Sequence, residues 1–283
     1  MRIVTIFVRF GTKDYPGAEE ELNGIFSRRL GGVDRYTVVV DNALPRDFVE
    51  ETGHRVVLGG DNRMHEFSGF DRGISFLGSR IWDFDLVNLA TSAFKMLYTA
   101  YLDRFDMNLL REIEGRPVCL GHVDCYNEPV DILTHQSQHW VRTSFVVLPP
   151  AEVKALGSLV SVSDRASFFT GDATRPFRDD APLSQVYRRY IQEWLNGGDI
   201  GQGVSWHSSF ALTAETLPAF EKKTLAILNE HLLAIRLRAQ GCRLVDVTWL
   251  AGVHGSRSGD QMEWSPNWKR QLAERTEDRV VIA

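Results

Sequence analysis

In the first half of the chain the apolar residues come in short unbroken runs that stop at glycine, aspartate or asparagine, and in the second half they recur at helical spacing. The opening segment Arg2-Ile3-Val4-Thr5-Ile6-Phe7-Val8-Arg9-Phe10 is β-branched and aromatic and ends at Gly11. After Tyr15-Pro16-Gly17 it is followed by the amphipathic run Ala18 to Leu30. That order predicts a strand, a loop and a helix. Tyr36 to Val40, stopping at Asp41-Asn42, and Arg55 to Leu58, stopping at Gly59-Gly60-Asp61-Asn62, predict a second and a third strand. The later part of Glu66 to Leu77 has helical spacing; Asp85 to Thr91 predicts a fourth strand, Arg116 to Gly121 a fifth and Val141 to Leu148 a sixth. Apolar strands alternating with helices predict an α/β fold built on a mostly parallel sheet covered on both faces.

From about Ser184 the spacing turns helical, over Gln185 to Leu195 and again over Leu217 to Gln240, before Arg243 to Trp249 returns to a strand pattern. Residues 251–283, rich in Trp, Arg and Ser, predict an irregular tail packed on the body. No repeat, low-complexity stretch or obvious linker interrupts the sequence, so one composite domain is expected.

Composition narrows the function classes. A chain of 283 residues, 43% hydrophobic and 24% charged, has enough apolar material for a sizeable core. Its net charge of −5 provides no basic field for nucleic acid or an anionic membrane, so an anionic ligand needs a local site. Cys119, Cys125 and Cys242 form neither a CxxC pair nor a disulfide framework, which suits a reducing compartment. The apolar run Ile3 to Val8 is too short for a signal segment, and no run reaches the roughly 18 to 20 apolar residues that span a bilayer. A soluble, cytoplasmic protein is the expectation.

Ligands of open α/β sheets gather outside the carboxyl ends of the strands, which directs attention to Arg9-Phe10-Gly11, Asp41-Asn42, Asp61-Asn62-Arg63 and Thr91-Ser92. A strand-ending Asp accepts hydrogen bonds from a base or ribose, although for Asp41-Asn42 taken alone an ordinary turn is the commoner role. Arg63 and Arg72 lie where a diphosphate needs compensating charge, and arginine forms bidentate bonds to phosphate oxygens; a solvated surface role is the commoner one for any single arginine. The literal Asp83-Phe84-Asp85 precedes the fourth strand instead of following it, and Thr91-Ser92 are poor primary ligands for magnesium, so metal independence is the expectation. In the long helix Glu230 is a candidate general base beside His231. Adjacent helical residues point about 100° apart, so only one of the two can face a small site and the other is structural. His122, Asp124, His135, His139 and His207 match no metal-ligand spacing, and the residues around His135 and His139 read as loop. No GxSxG, P-loop or GxGxxG signature is present.

Val38-Val39-Val40-Asp41-Asn42, the block Glu66-Phe67-Ser68-Gly69-Phe70-Asp71-Arg72-Gly73, the run Trp140 to Leu148, Glu193-Trp194-Leu195 and Ile227-Leu228-Asn229-Glu230-His231-Leu232-Leu233 together resemble bacterial GT-A glycosyltransferases. They are most similar to rhamnosyltransferase-like enzymes of surface-polysaccharide synthesis. The likeness spans most of residues 1–245 as a pattern of order and spacing. It implies a GT-A-like, Rossmann-like sheet in one domain, with residues 1–120 as the nucleotide-sugar half, 121–250 as the acceptor and catalytic half, and 251–283 as the tail. Donor-binding roles fall on Phe10, Asp41, Asn42, Asp61, Asn62, Arg63, Arg72, Thr91 and Ser92, acceptor-binding roles on His122, Asp124, Arg142 and Trp206, and the base on Glu230. Relatives carry an Asp motif after the fourth strand that places a divalent metal; here Ala90-Thr91-Ser92 stands in its place and no metal ligand is assigned. The implied reaction is inverting direct displacement, in which the nucleoside diphosphate leaves. The implied partners are a nucleotide-sugar donor and a glycan or lipid-linked glycan acceptor, with peripheral association at the inner membrane. A nucleotidyltransferase and a non-catalytic sugar-nucleotide or glycan-binding subunit are the competing readings. Seven tryptophans fit carbohydrate stacking in the latter, although core packing is their commoner use.

Overall fold

The computed structural model describes residues 1–96, 99–198, 208–256 and 267–275. In chain order the elements are β1 (Arg2–Arg9), α1 (Ala18–Arg29), β2 (Asp34–Asp41), β3 (Val49–Thr52), β4 (Arg55–Gly59), α2 (His65–Leu77), β5 (Leu86–Thr91), α3 (Met107–Ile113), β6 (Val118–Gly121), β7 (Val123–Ile132), β8 (His135–Val141), β9 (Phe145–Leu148), α4 (Pro150–Leu156), α5 (Gln185–Asn196), α6 (Leu217–Ala239), β10 (Arg243–Asp246), α7 (Val247–Ser256) and α8 (Trp268–Glu274). They divide into two compact units: one within Met1–Asp124, Val141–Leu159 and Arg236–Ala283, the other within Cys125–Trp140 and Val160–Ile235.

The first unit is built on an eight-stranded sheet in the order β10-β6-β9-β5-β1-β2-β4-β3. β1 pairs in parallel with both β2 and β5, β2 with β4, and β10 with β6, while β3 and β9 run antiparallel to their neighbours. The central strands are apolar on both sides because both sides are covered. Ile3, Phe7, Val39, Val57, Leu86 and Ala90 face a core shared with Leu22, Ile25 and Phe26 of α1, Leu109 and Leu110 of α3 and Leu250 of α7. Residues of the opposite parity meet α2, which lies directly on β1 because Gly69 and Gly73 have no side chain. A Cβ on these glycines would sit 2.6 Å from Val8 Cγ1 and 2.5 Å from Ile6 Cγ2. Helix α1 opens with Glu19, Glu20 and Glu21 and closes with Arg28 and Arg29, charges that complement its dipole.

In the second unit the greater part of β7 and β8 pair as a two-stranded sheet, accompanied by α5 and most of α6. Helix α5 starts on the Ser184 hydroxyl, which accepts from the Tyr187 N–H, and ends at Gly197 in the left-handed conformation. Around His231 of α6 pack Tyr126, Trp140 and Tyr187, and Tyr190 packs on Tyr126 and Trp140. The Tyr126 and Tyr187 hydroxyls lie 2.5 and 2.7 Å from the same His231 Nδ1.

Several expected elements differ. His135 to Trp140 is strand instead of loop, and the single sixth strand expected over Val141 to Leu148 divides into the end of β8 and β9. The strand expected to run to Trp249 stops at Asp246, whose side chain accepts from the Thr248 and Trp249 N–H groups and so starts a helix. The described part of residues 251–283 is helical, in α7 and α8, instead of irregular.

Candidate functional site at the carboxyl edge of the first unit

Strands β1, β2, β4, β5, β6 and β10 share one direction, so their carboxyl ends form a single edge. The chain order reverses between β1 and β5, because β2 and β4 extend the sheet to one side of β1 and β5 to the other. Such a reversal opens a crevice at the strand ends. Phe10, directly after β1, is 57% exposed there. Ser92, directly after β5, donates its N–H to the Val8 carbonyl at 2.9 Å, which places Thr91-Ser92 beside the end of β1.

Asp41 closes β2. Its Oδ1 accepts the Gly11 N–H at 2.8 Å and the Ala43 N–H at 3.0 Å, and its Oδ2 accepts Arg9 Nε at 2.8 Å. Burial alone would raise this carboxyl, but the two amides and the Arg9 guanidinium outweigh it and hold Asp41 below the usual carboxylate range. Arg9 also reaches Glu19 at 3.0 Å, and Glu19 receives Arg55 at 2.6 Å, so the strand end is cross-braced by charge. Asp41 is therefore both the turn residue and a brace of the edge, its own side chain buried.

The segment after β4 is pressed against the loop after β2. A Cβ on Gly59 would lie 1.6 Å from the Pro45 carbonyl oxygen, and one on Gly60 1.9 Å from Asn42 Oδ1. That Asn42 oxygen is buried without a hydrogen-bond partner, while Asn42 Nδ2 donates to the His65 carbonyl at 3.1 Å and to Asn62 Oδ1 at 3.5 Å. Asp61 accepts from the Arg63 backbone at 3.1 Å and from Arg63 Nε at 2.8 Å, and Arg46 Nη1 lies 4.0 Å from it. Burial would raise the Asp61 carboxyl, yet its bonds to Arg63 bring it below the ordinary value. Arg72 donates to the Arg46 carbonyl at 3.3 Å. The exposed guanidinium groups of Arg46 and Arg63 thus converge on one carboxylate, an arrangement suited to an anion. Arg46 was not among the residues picked from the sequence; its place in a proline-containing loop gave no signal.

The other half of the edge carries a more enclosed group. Asp124, just past β6, takes Arg142 Nε at 2.5 Å on Oδ2 and lies 3.3 Å from His122 Nε2 through Oδ1. Burial opposes ionisation of Asp124, but Arg142 and then His122 outweigh it and hold the carboxyl well below the usual range. The Tyr101 ring lies against His122, with centroids 5.1 Å apart. The structure therefore brings His122, Asp124 and Arg142 together. Asp83-Phe84-Asp85 lies at the opposite, amino edge, where Asp85 accepts the Arg2 N–H at 2.6 Å. Among the described residues no group of three or more His, Cys, Asp or Glu is arranged to hold a metal ion. Nor is any helix among them long and apolar enough to cross a membrane.

Glu230 belongs to the second unit. Its neighbours on α6 are fixed on both sides: Asn229 accepts the Ser161 and Val162 N–H groups at 2.6 and 3.0 Å and donates to the Val162 and Leu225 carbonyls, and His231 is buried among the aromatic rings. Of Glu230 and His231 the histidine is thus the structural member, and Glu230 stays half-buried. His135 is exposed and His139 buried on β8; Trp206 and His207 lie outside the described residues. The chain matches no known family model, no curated protein and no solved structure.

Proposed function

We propose that this chain is a glycosyltransferase of the GT-A kind, moving a sugar from a nucleotide donor to a glycan acceptor in bacterial surface-polysaccharide synthesis. The observation that carries the reading is the carboxyl edge itself: an exposed aromatic ring at the order reversal, a braced Asp41, and Arg46 and Arg63 converging beyond β4. A flat ring stacks on a base or sugar, and paired guanidinium groups match a diphosphate. In the proposed reaction Glu230 takes the proton of an acceptor hydroxyl. The acceptor oxygen bonds to the anomeric carbon, the bond from that carbon to the diphosphate oxygen breaks, and the nucleoside diphosphate leaves with the electron pair.

The charge developing on the leaving diphosphate is assigned to Arg46 and Arg63. A divalent metal would supply the same neutralisation, but the hydroxyl groups of Thr91 and Ser92 do not form a suitable donor set for magnesium or manganese, and no step is assigned to a metal. Asp124 and Arg142, a carboxylate and a guanidinium side by side, suit adjacent hydroxyls of a sugar acceptor.

The test is nucleotide release from UDP-, GDP-, CMP- and dTDP-sugars, measured with the Glu230→Gln variant alongside the parent. Loss of turnover by about 100-fold or more with unchanged donor affinity is the expected result for a general base. Equal loss of donor binding would remove Glu230 from that role, and no release from any donor by the parent chain would leave a sugar-nucleotide or glycan-binding subunit.

A further inference from the structure

The β6–β7 segment that carries His122 and Asp124 is held from a distant part of the sequence. Between those two residues stands Val123, and both of its backbone polar groups are taken. Its N–H donates to Asp246 Oδ2 at 3.0 Å, and its carbonyl accepts Arg275 Nη1 at 2.8 Å. The same Arg275 Nη1 lies 3.0 Å from Asp246 Oδ2, so one carboxylate and one guanidinium close a ring around a single residue and hold the peptide groups on both sides of its Cα. Asp246 is fully buried, and its Oδ1 accepts the Thr248 and Trp249 N–H groups at 3.0 Å each. Helix α8 supplies the rest of the lock. Gln271 accepts the Asp246 N–H at 2.7 Å and donates to the Leu244 carbonyl at 3.2 Å, and Glu274 accepts Trp249 Nε1 at 2.9 Å. His122 Nδ1 lies 3.9 Å from Asp246 Oδ2, on the side of the imidazole away from Asp124.

We infer that Arg275, with Asp246, is a positioning residue: it fixes Val123, the residue between His122 and Asp124, and thereby sets the geometry with which the Asp124–Arg142 pair meets an acceptor. The acceptor role of that pair rests on the transferase reading; the positioning of His122 and Asp124 does not. A guanidinium is needed because one nitrogen must serve a carbonyl and a carboxylate at once in a fixed plane, which a lysine ammonium does less well. Small displacements of a binding group carry large effects on productive geometry.

The experiment compares the parent chain with Arg275→Ala and Arg275→Lys, reading donor affinity, acceptor KM and kcat, and the imidazole resonances of His122, which are assigned as those missing from His122→Gln. Arg275→Ala is expected to raise acceptor KM about 10-fold or more, to leave donor affinity within about 2-fold, and to shift the His122 resonances; Arg275→Lys recovers part of each change. If Arg275→Ala does not fold, Arg275→Lys decides by the same three measurements. An unchanged acceptor KM together with unmoved His122 resonances overturns the inference. Parallel loss of donor and acceptor binding that tracks a fall in melting temperature also overturns it, because a merely structural role does that. If the parent chain turns over no donor, the transferase reading fails, and the His122 resonances alone decide the positioning role.

Discussion

Two aspartates close parallel strands at the carboxyl edge of the first unit, and they do so in different surroundings. Asp41 ends β2 and accepts two backbone N–H groups and Arg9; Asp246 ends β10 and accepts three backbone N–H groups and Arg275. Asp41 is itself buried but Phe10, Arg46 and Arg63 at the same edge are exposed to solvent, whereas Asp246 is completely enclosed by α7, α8 and the turn after β6. The same carboxylate device therefore does two jobs. At Asp41 it stiffens loops that carry exposed side chains, and at Asp246 it stiffens the buried support of the segment between β6 and β7.

The comparison predicts an order of effects. Asp246→Ala removes a helix start and leaves Arg275 partly buried without its carboxylate, a loss expected to cost about 3–5 kcal/mol of stability. Asp41→Ala, whose partner Arg9 keeps Glu19, is expected to cost about 1–3 kcal/mol. Urea denaturation of both variants checks this, and equal losses would erase the distinction between surface and support.

Acid should act next. Asp41 and Asp124 both have depressed pKa values, so each contributes stability that is present above the ordinary carboxylate value of about 4 and is lost as pH falls through its folded value. Asp124, the more strongly depressed, gives up its share at lower pH than Asp41. Melting temperature followed downward from neutrality should therefore hold until about pH 5 and then fall, and Asp41→Asn should flatten the first part of that fall. A decline beginning near neutrality would contradict the assignment to carboxylates.

The smallest effect on stability belongs to Phe10→Ala, since an exposed side chain contributes within about 0.5 kcal/mol. Donor affinity, in contrast, is expected to drop about 5-fold or more, the loss of one stacked ring. Isothermal titration with whichever donor binds separates the two quantities.

How much of this was legible in the sequence follows from burial. Strands covered on both faces announce themselves as unbroken apolar runs, so β1, β2, β4, β5 and β6 could be read directly, as could the long helices α5 and α6. The strands β3, β7 and β8 carry polar residues such as Glu50-Glu51, Asn127-Glu128 and Gln136-Ser137-Gln138, which periodicity alone assigns to loops. The candidate residues from Phe10 to Arg63, with Thr91 and Ser92, stood out because they follow recognisable strands, and Arg72 because it lies between the strands now numbered β4 and β5. Asp246 was missed because the apolar Val247, Trp249 and Leu250 after it extend a strand pattern into what is the first turn of α7. Arg275 had no local signal at all, since its partners Val123 and Asp246 are far from it in sequence and only the fold joins them.

The most direct test of the central claim is thermal stabilisation of the full chain by UDP-, GDP-, CMP- and dTDP-sugars, each with EDTA and with magnesium or manganese, in the parent and in Phe10→Ala. A ligand that binds only the folded state raises the melting temperature. The account predicts a rise with one nucleotide class that persists in EDTA and shrinks in Phe10→Ala; no rise with any nucleotide sugar would contradict it.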